Sequence, residues 1–339
     1  MQKYKMLVLT DHSKHSKENS LYSLVSSMSH HQRCTQIDVA TRGDQINDLF
    51  FRERILKSLF VVKGDDGFVF HEDGRVFKKH LRRESLKTYD VIWLRMPPPL
   101  SKDFLSFLKK QFPHILFIND PDGIYKTGSK EFLINFPKLC PPMKICRSIE
   151  DIITFKNRFP IVLKPFRDYG GKGIIRIDGD RVWEGNKECT FTELVDKLSL
   201  SEVEYFGVKF LKNVSKGDKR IIVVNGKIMG ASLRLPAKDS WICNVAMGGS
   251  SNHSEVDPEE VKIVESIDPR LSEMGIVMYG IDTLMGDDGF RVLSEINTTS
   301  IGGLPQIGQM TGRPVLKEAV NLIWNYVHKK ISKEDVVSK

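Results

Sequence analysis

Three oxygen-bearing side chains, Asp282, Glu295 and Asn297, are the most chemically suggestive set in the sequence. They fall in two apolar runs, MYGIDTLMG and FRVLSEINTTS, separated by the turn formers Asp287-Asp288-Gly289. If the runs pair as a hairpin, Glu295 and Asn297 share a face, being two positions apart, and Asp282 lies opposite them. Magnesium favours carboxylate oxygens in an octahedral shell, and this set leaves room for a nucleotide's phosphates. An acidic hairpin is by itself more often a solvated face, so the metal reading needs companions.

Several companions exist, each weak alone. The stretch Lys164-Pro165-Phe166-Arg167-Asp168-Tyr169-Gly170-Gly171-Lys172-Gly173 lies between two expected strands. Its glycines let backbone N–H groups approach phosphate oxygens, and Lys164 adds a cation. A plain hairpin turn would look similar, and the pattern matches neither the Walker loop nor the Rossmann fingerprint. Lys130 follows a turn-rich segment, where a surface lysine would be unremarkable. Asp218 and Arg220 lead into the strand IIVVNGK, and Arg234 sits in its partner. Two guanidinium forks on paired strands can clamp a carboxylate or phosphate, although surface arginines on strands are common. Residues 244–250, beginning at Asn244, form a small-residue loop that could fold over a ligand or merely connect.

The order of these motifs is more specific than any one of them. Lys130, VLKP with RDYGGKG, VKFL, GDKRIIVVNG, LRLP, NVAMGG, YGID and EINTTS, spread over residues 85–330, resemble the ATP-grasp enzymes, and most closely the prokaryotic glutathione synthetases. Upstream, VIWLRMPP is similar to a family segment whose arginine faces the substrate. The resemblance implies that Lys130 and Lys164 hold ATP phosphates, with Tyr169, Gly170, Gly171, Lys172 and Gly173 in the loop over them. Val208, Lys209, Phe210 and Leu211 would run along the adenine, backbone groups of Lys209 and Leu211 bonding the base, and Asp218 would join this nucleotide-binding set. Asp282, Glu295 and Asn297 would bind Mg2+, with Mn2+ as an alternative. Arg95, Arg220, Arg234, Asn244 and Ser300 would contact the dipeptide or amine, Arg220 and Arg234 also serving catalysis. Ser300, Ile301, Gly302 and Gly303 would line the acceptor pocket.

The implied activity is that of an ATP-dependent carboxylate–amine ligase, joining γ-glutamylcysteine and glycine through an acyl phosphate and releasing ADP and phosphate. Two features depart from the best-known relatives. TTSIGGLPQ stands where they carry an arginine-containing segment, and the interval from Asp282 to Glu295 is longer, which reads as a longer hairpin tip at Met285–Gly289. The first keeps another amino-acid or peptide ligase in view. A nucleotide-binding regulator without turnover is a further alternative, against which the retained carboxylates, Asn297 and lysines argue.

Positioning these residues calls for three units. Residues 1–120 alternate apolar runs (KMLVLT, QIDVA, YDVIWLRM, HILFIND) with helix-like stretches at Ser13–Ser29 and SKDFLSFLKKQF, which suggests a parallel sheet covered by helices. Residues 61–80 read as a hairpin, and NDPDGI at 119–124 as a domain boundary. A helix is expected from Thr127 through SKEFLINF, followed by an α+β lid over about 145–212 and a metal-bearing sub-domain over about 213–330. Within the latter, Asn225–Gly226 suits a tight hairpin turn, and Asp257–Pro258 a helix start. The helix RPVLKEAVNLIWNYVHKK closes the domain, leaving 331–339 as a frayed charged tail. The whole is an α/β plus α+β architecture of the ATP-grasp type, with an N-terminal α/β domain ahead of the grasp.

Bulk properties exclude other classes. The 339 residues are 40% hydrophobic and 28% charged, ordinary for a globular chain with sizeable cores. Nothing approaches the ~20 apolar residues of a membrane helix, and the N-terminal apolar run is too short for a signal peptide, so a cytoplasmic protein is expected. Five scattered cysteines show no disulfide or zinc spacing. The net charge of +8 is spread along the chain without a basic stripe, which favours small-molecule partners over nucleic acid. Self-association is left open.

Overall fold

A computed structural model describes residues 1–55, 57–167, 173–185, 187–200, 202–236 and 250–337. Its N-terminal sheet comprises β1 (Tyr4–Thr10), β2 (Cys34–Thr41), β3 (Ser58–Lys63), β4 (Arg82–Ser85), β5 (Val91–Arg95) and β6 (Leu116–Ile118), in the order β4-β3-β2-β1-β5-β6. β1 runs parallel to β2 and β5, and β5 parallel to β6. Because helices cover both faces, β5 is buried at every position, which explains its unbroken apolar sequence. Helix α1 (Leu21–Ser29), the short α2 (Asp48–Phe51) and α3 (Lys102–Gln111) supply that cover, α3 starting at the Ser101 cap and burying Phe104, Leu105 and Leu108.

Three expectations are corrected here. The N-terminal helix starts at Leu21, because a 3-10 turn at His12–Lys14 and a loop occupy the preceding residues. The hairpin expected at 61–80 is built from β3 and β4, which pair Ser58 with Ser85, so its two Asp-Gly turn signals lie inside a long connection. The stretch 119–124, expected as a domain boundary, is tied down by buried Asn119, which donates to the Met278 and Thr298 carbonyls and accepts from the Val277 and Met278 amides. Asp120 caps α4 (Pro121–Thr127), with Pro121 at its first turn, and the segment expected to be a helix from Thr127 becomes a 3-10 stretch, Lys130–Asn135.

The lid is an antiparallel sheet of β7 (Met143–Cys146), β8 (Ile161–Pro165), β9 (Ile175–Asp178), β10 (Arg181–Glu184), β11 (Lys187–Thr190) and β12 (Tyr205–Lys209), in the order β11-β10-β9-β8-β12-β7. Helix α5 (Ile149–Lys156) and helix α6 (Phe191–Leu198) bury their apolar stripes against it. α6 begins with a capping box between Thr190 and Glu193.

The C-terminal sheet has the order β15-β14-β13-β16-β17. β13 (Asp218–Val224) and β14 (Lys227–Leu235) meet at Asn225 and Gly226, both at positive φ (47° and 76°), the geometry that lets so short a turn follow the strand twist. β15 (Ser250–Ser254) flanks β14, and β16 (Met278–Met285) and β17 (Arg291–Asn297) form the other edge. Helix α7 (Pro258–Glu273) opens with an Asp257–Glu260 capping box, and α8 (Leu304–Thr311) follows Gly303. Helix α9 (Val315–Val337) runs on through the segment expected to fray. It also bolts the two ends of the chain together: Trp324 Nε1 donates to the Met28 carbonyl at 3.3 Å, and Tyr4 bonds His328 at 2.8 Å.

Candidate functional site

Alternation along β13 decides which side chains reach the cleft. Asp218 and Arg220 point to one face; Lys219, between them, points to the other, where it is buried and bonds Glu260 and Asp257 of the α7 start at 2.8 Å each. Register then brings partners alongside. Asp218 lies opposite Arg234 on β14, and Arg220 opposite Asp282 on β16. Arg220 donates from Nε and Nη2 to the two oxygens of Asp282, both at 2.7 Å. Arg234 grips Asp218 at 2.6 and 2.7 Å and reaches Asp282 at 2.9 Å.

This four-membered network lies half-buried around the buried Asp282, and its charges depend on one another. Burial opposes the Asp282 charge, yet Arg220 and Arg234 hold its pKa below the ordinary carboxylate range. Burial and the nearby Asp282 charge push Asp218 up to about 6, against the pull of Arg234. The arginines expected as free clamps are therefore already paired with carboxylates, and an anionic ligand must share or replace those partners.

Across the hairpin, Asp282 pairs with Glu295, and Thr283 with Leu293, so Ser294 is an extra residue in β17. The interval between Asp282 and Glu295 thus holds a bulge at the site itself as well as the hairpin tip. Ser294 meets Lys164 at the end of β8: Nζ donates to its Oγ at 3.4 Å. Asn297 turns Nδ2 onto Asp282 (3.2 Å), and the Glu295 carboxylate accepts from no described donor. An acceptor-only carboxylate beside an amide oxygen suits a hard cation. Asp282 differs from the expectation, because its oxygens already serve Arg220, Arg234 and Asn297. Among the described residues no group of three or more His, Cys, Asp or Glu side chains gathers as a metal site.

A cleft of about 600 Å³ joins these groups to the lid. Lys164, Val208, Lys209, Phe210, Leu211, Asp218, Arg220, Arg234, Asp282, Glu295, Asn297 and Ser300 all line it. The Lys209 N–H is committed to the Pro142 carbonyl at 2.8 Å, so of the backbone groups expected at a base the Leu211 N–H is the donor that lacks a described partner. Lys209 Nζ instead reaches Asp287 at the tip of the β16–β17 hairpin, 2.8 Å away. Lys130 lies half-buried, its amide on the Phe166 carbonyl, and lines a smaller recess shared with Glu295. Gly173 follows the loop whose Tyr169, Gly170, Gly171 and Lys172 lie outside the described residues, as does Asn244.

Four residues expected on the substrate side are placed away from the cleft. Arg95 is buried behind it, on the Ile301 carbonyl, and Ile301, Gly302 and Gly303 do not line it. In their stead come Lys14 and Asn19 after β1 and Tyr125, which the sequence reading passed over, together with Arg167, Thr299 and the proline segment 97–99 after β5, which lie in or beside motifs it quoted. The ends of parallel strands β1 and β5 are where open α/β sheets form ligand crevices, a signal available from the strand pattern. Arg42 braces that wall, donating to the carbonyls of Pro97 and Pro99 at 2.9 Å each and to Asp11 at 2.8 Å.

Residues 129–312 match the model of the family described as prokaryotic glutathione synthetase, ATP-grasp domain. The glutathione synthetase of Bradyrhizobium diazoefficiens is 32% identical over 257 residues, covering 74% of this chain and 77% of that protein. That of Agrobacterium fabrum is 31% identical over 279 residues, covering 81% and 80%. Among solved structures, a D-alanine–D-alanine ligase from Coxiella burnetii superposes with a TM-score of 0.64 at 11% identity over 100% of this chain and 99% of that one, a likeness of fold.

Proposed function

Because this chain belongs to the prokaryotic glutathione synthetase family, an ATP-grasp family of ATP-dependent carboxylate–amine ligases, we propose that it joins γ-glutamylcysteine to glycine. The observation that carries the reading is the single cleft that sets Lys164 and the β12 strand at one end against Arg220, Arg234 and Ser300 at the other. Nucleotide and two-carboxylate peptide can then meet over Glu295.

The residues divide the work. Leu211 N–H and the apolar wall of Val208 and Ile296 take the base, and Lys164 faces the phosphates from β8, with Lys130 in the adjoining recess. Glu295 and Asn297, with Asp282 beside them, would hold Mg2+, which when bound offsets charge on the transferring phosphoryl group. The substrate's cysteinyl carboxylate takes the γ-phosphoryl group of ATP, releasing ADP. The glycine nitrogen then attacks that carbonyl carbon, loses a proton, and phosphate leaves with one former carboxylate oxygen. Arg220 and Arg234 hold the other carboxylate of the dipeptide by sharing their forks with Asp282 and Asp218. Excluding water protects the acyl phosphate from hydrolysis.

The test is phosphate release from ATP with γ-glutamylcysteine and glycine, singly and together. Release that requires both supports the reading. Robust release with a peptide or protein carboxylate, γ-glutamylcysteine being inert, points to another peptide ligase, the reading that TTSIGGLPQ keeps open.

A further inference from the structure

Arg95 ends β5 with only 3% of its surface exposed, and it pairs with no carboxylate among the described residues. Its Nη2 donates to the Ile301 carbonyl at 2.7 Å and to Ser20 Oγ at 3.2 Å. Ser20, at the start of α1, also donates to the Ile301 carbonyl, at 3.4 Å. Nη1 lies 3.6 Å from Met278 Sδ, the guanidinium sits 5.3 Å from the Trp93 ring centroid, and Nε has no partner. A desolvated cation is being used on one peptide carbonyl, a costly arrangement unless that carbonyl must be held.

What precedes Ile301 supplies the reason. Ser300 lines the cleft with φ of 49°, in the left-handed region that a residue with a Cβ rarely adopts. Such a conformation persists only when its surroundings over-determine it. Gly302 and Gly303 next to it are free of that restriction, so the strain is localised at Ser300. The N-terminal domain thus reaches across to fix one backbone bend in a loop belonging to the C-terminal sub-domain.

We propose that Arg95 is a positioning residue: through the Ile301 carbonyl, and with Ser20, it holds Ser300 in its left-handed conformation and so presents the loop 298–303 to the amine acceptor without touching substrate itself. This rests on the reading of that loop as the acceptor side of the cleft. A direct substrate arginine would be accessible from the cleft; Arg95 is buried and does not line it.

The experiment compares Arg95→Gln and Arg95→Lys in three backgrounds: Ser300, Ser300→Gly and Ser300→Ala. Amide exchange of peptides covering 298–304 is read without any ligand, so this arm is independent of which substrates the enzyme uses. Steady-state rates are read with the acceptor that supports turnover. Arg95→Gln is expected to speed loop exchange about tenfold and to lower turnover by roughly 10- to 100-fold while the KM for ATP stays within about twofold. Ser300→Gly, which adopts positive φ freely, should recover most of the turnover lost through Arg95→Gln; Ser300→Ala, which keeps the Cβ, should not. Arg95→Lys retains one donor and should fall between, and it carries the test if the glutamine variant unfolds on heating. Unchanged loop exchange, or the same fold-loss in all three backgrounds, overturns the proposal. An exchange effect with no turnover on γ-glutamylcysteine and glycine would instead sink the substrate reading and leave the brace standing.

Discussion

Arg220 and Asp282 face each other across β13 and β16 and are joined by two parallel hydrogen bonds of 2.7 Å. Asp282 is therefore both a neighbour of the cation-suited oxygens and the anchor of two arginines, whereas Glu295 has no such second task. The two carboxylates should respond differently to removal. Asp282→Ala leaves Arg220 without its carboxylate and Arg234 with Asp218 alone at a partly exposed wall of the cleft, which should cost roughly 1–3 kcal/mol of stability as well as activity. Glu295→Ala should abolish turnover with a melting temperature within about 2 °C of the parent, since a half-buried acceptor is lost that takes no hydrogen bond from a described donor. Thermal melts and phosphate-release assays on both variants check this; similar destabilisation of the two would give Glu295 a structural role.

Lys164 lines the cleft, and among the described residues its Nζ is held by a 3.4 Å contact to Ser294 Oγ. Lys164→Ala should lower kcat/KM for ATP by about 10²–10³, the usual loss when a cation aimed at a transferring phosphoryl group is removed. Nucleotide titration alongside kinetics separates binding from transfer. Wild-type ATP kinetics in this variant would remove Lys164 from the phosphate site.

Lys209 on the strand along the expected base and Asp287 on the hairpin tip are tied at 2.8 Å. Both ends are partly exposed, so the pair is worth no more than about 1 kcal/mol. Asp287→Asn should accordingly raise the KM for ATP about two- to fivefold and leave kcat nearly unchanged. A large fall in kcat would mean that the tip does more than position the strand.

Much of the site was readable from residue order. Strand alternation and the Asp-Asp-Gly turn were enough to bring Asp282, Glu295 and Asn297 together, and Asn225–Gly226 announced the hairpin that sets Arg220 near Arg234. Two kinds of feature escaped. The Ser294 bulge is one residue of local geometry that no pattern marks. The Arg95 brace depends on Ser20 and Ile301 meeting from distant parts of the chain, so the sequence shows an arginine near a cleft but not which way it faces. Turn formers also told only part of the story: Asn119 and Asp120 are a buried staple and a helix cap, roles that their sequence does not mark.

His15 gives a pH signature. Burial, with repulsion from His12 and Arg95, depresses its pKa from 6.5 to about 4, while Thr10 and Tyr22 bond its ring. The unfolded chain then takes up the proton first as pH falls, so this contribution to stability is complete above about 6.5 and is lost progressively towards about 4. Urea midpoints at pH 7.5 and 5 should differ less for His15→Gln than for the parent. An equal difference in both proteins would assign the pH dependence to other groups.

The most direct measurement follows oxygen. γ-Glutamylcysteine labelled with 18O in its cysteinyl carboxylate is incubated with the enzyme, ATP, magnesium and glycine, and the products are analysed by mass. Formation of glutathione with one 18O atom transferred to each phosphate released is the expected result. Glutathione with unlabelled phosphate would contradict the acyl-phosphate route, and no glycine-dependent product at all would contradict the assigned substrates.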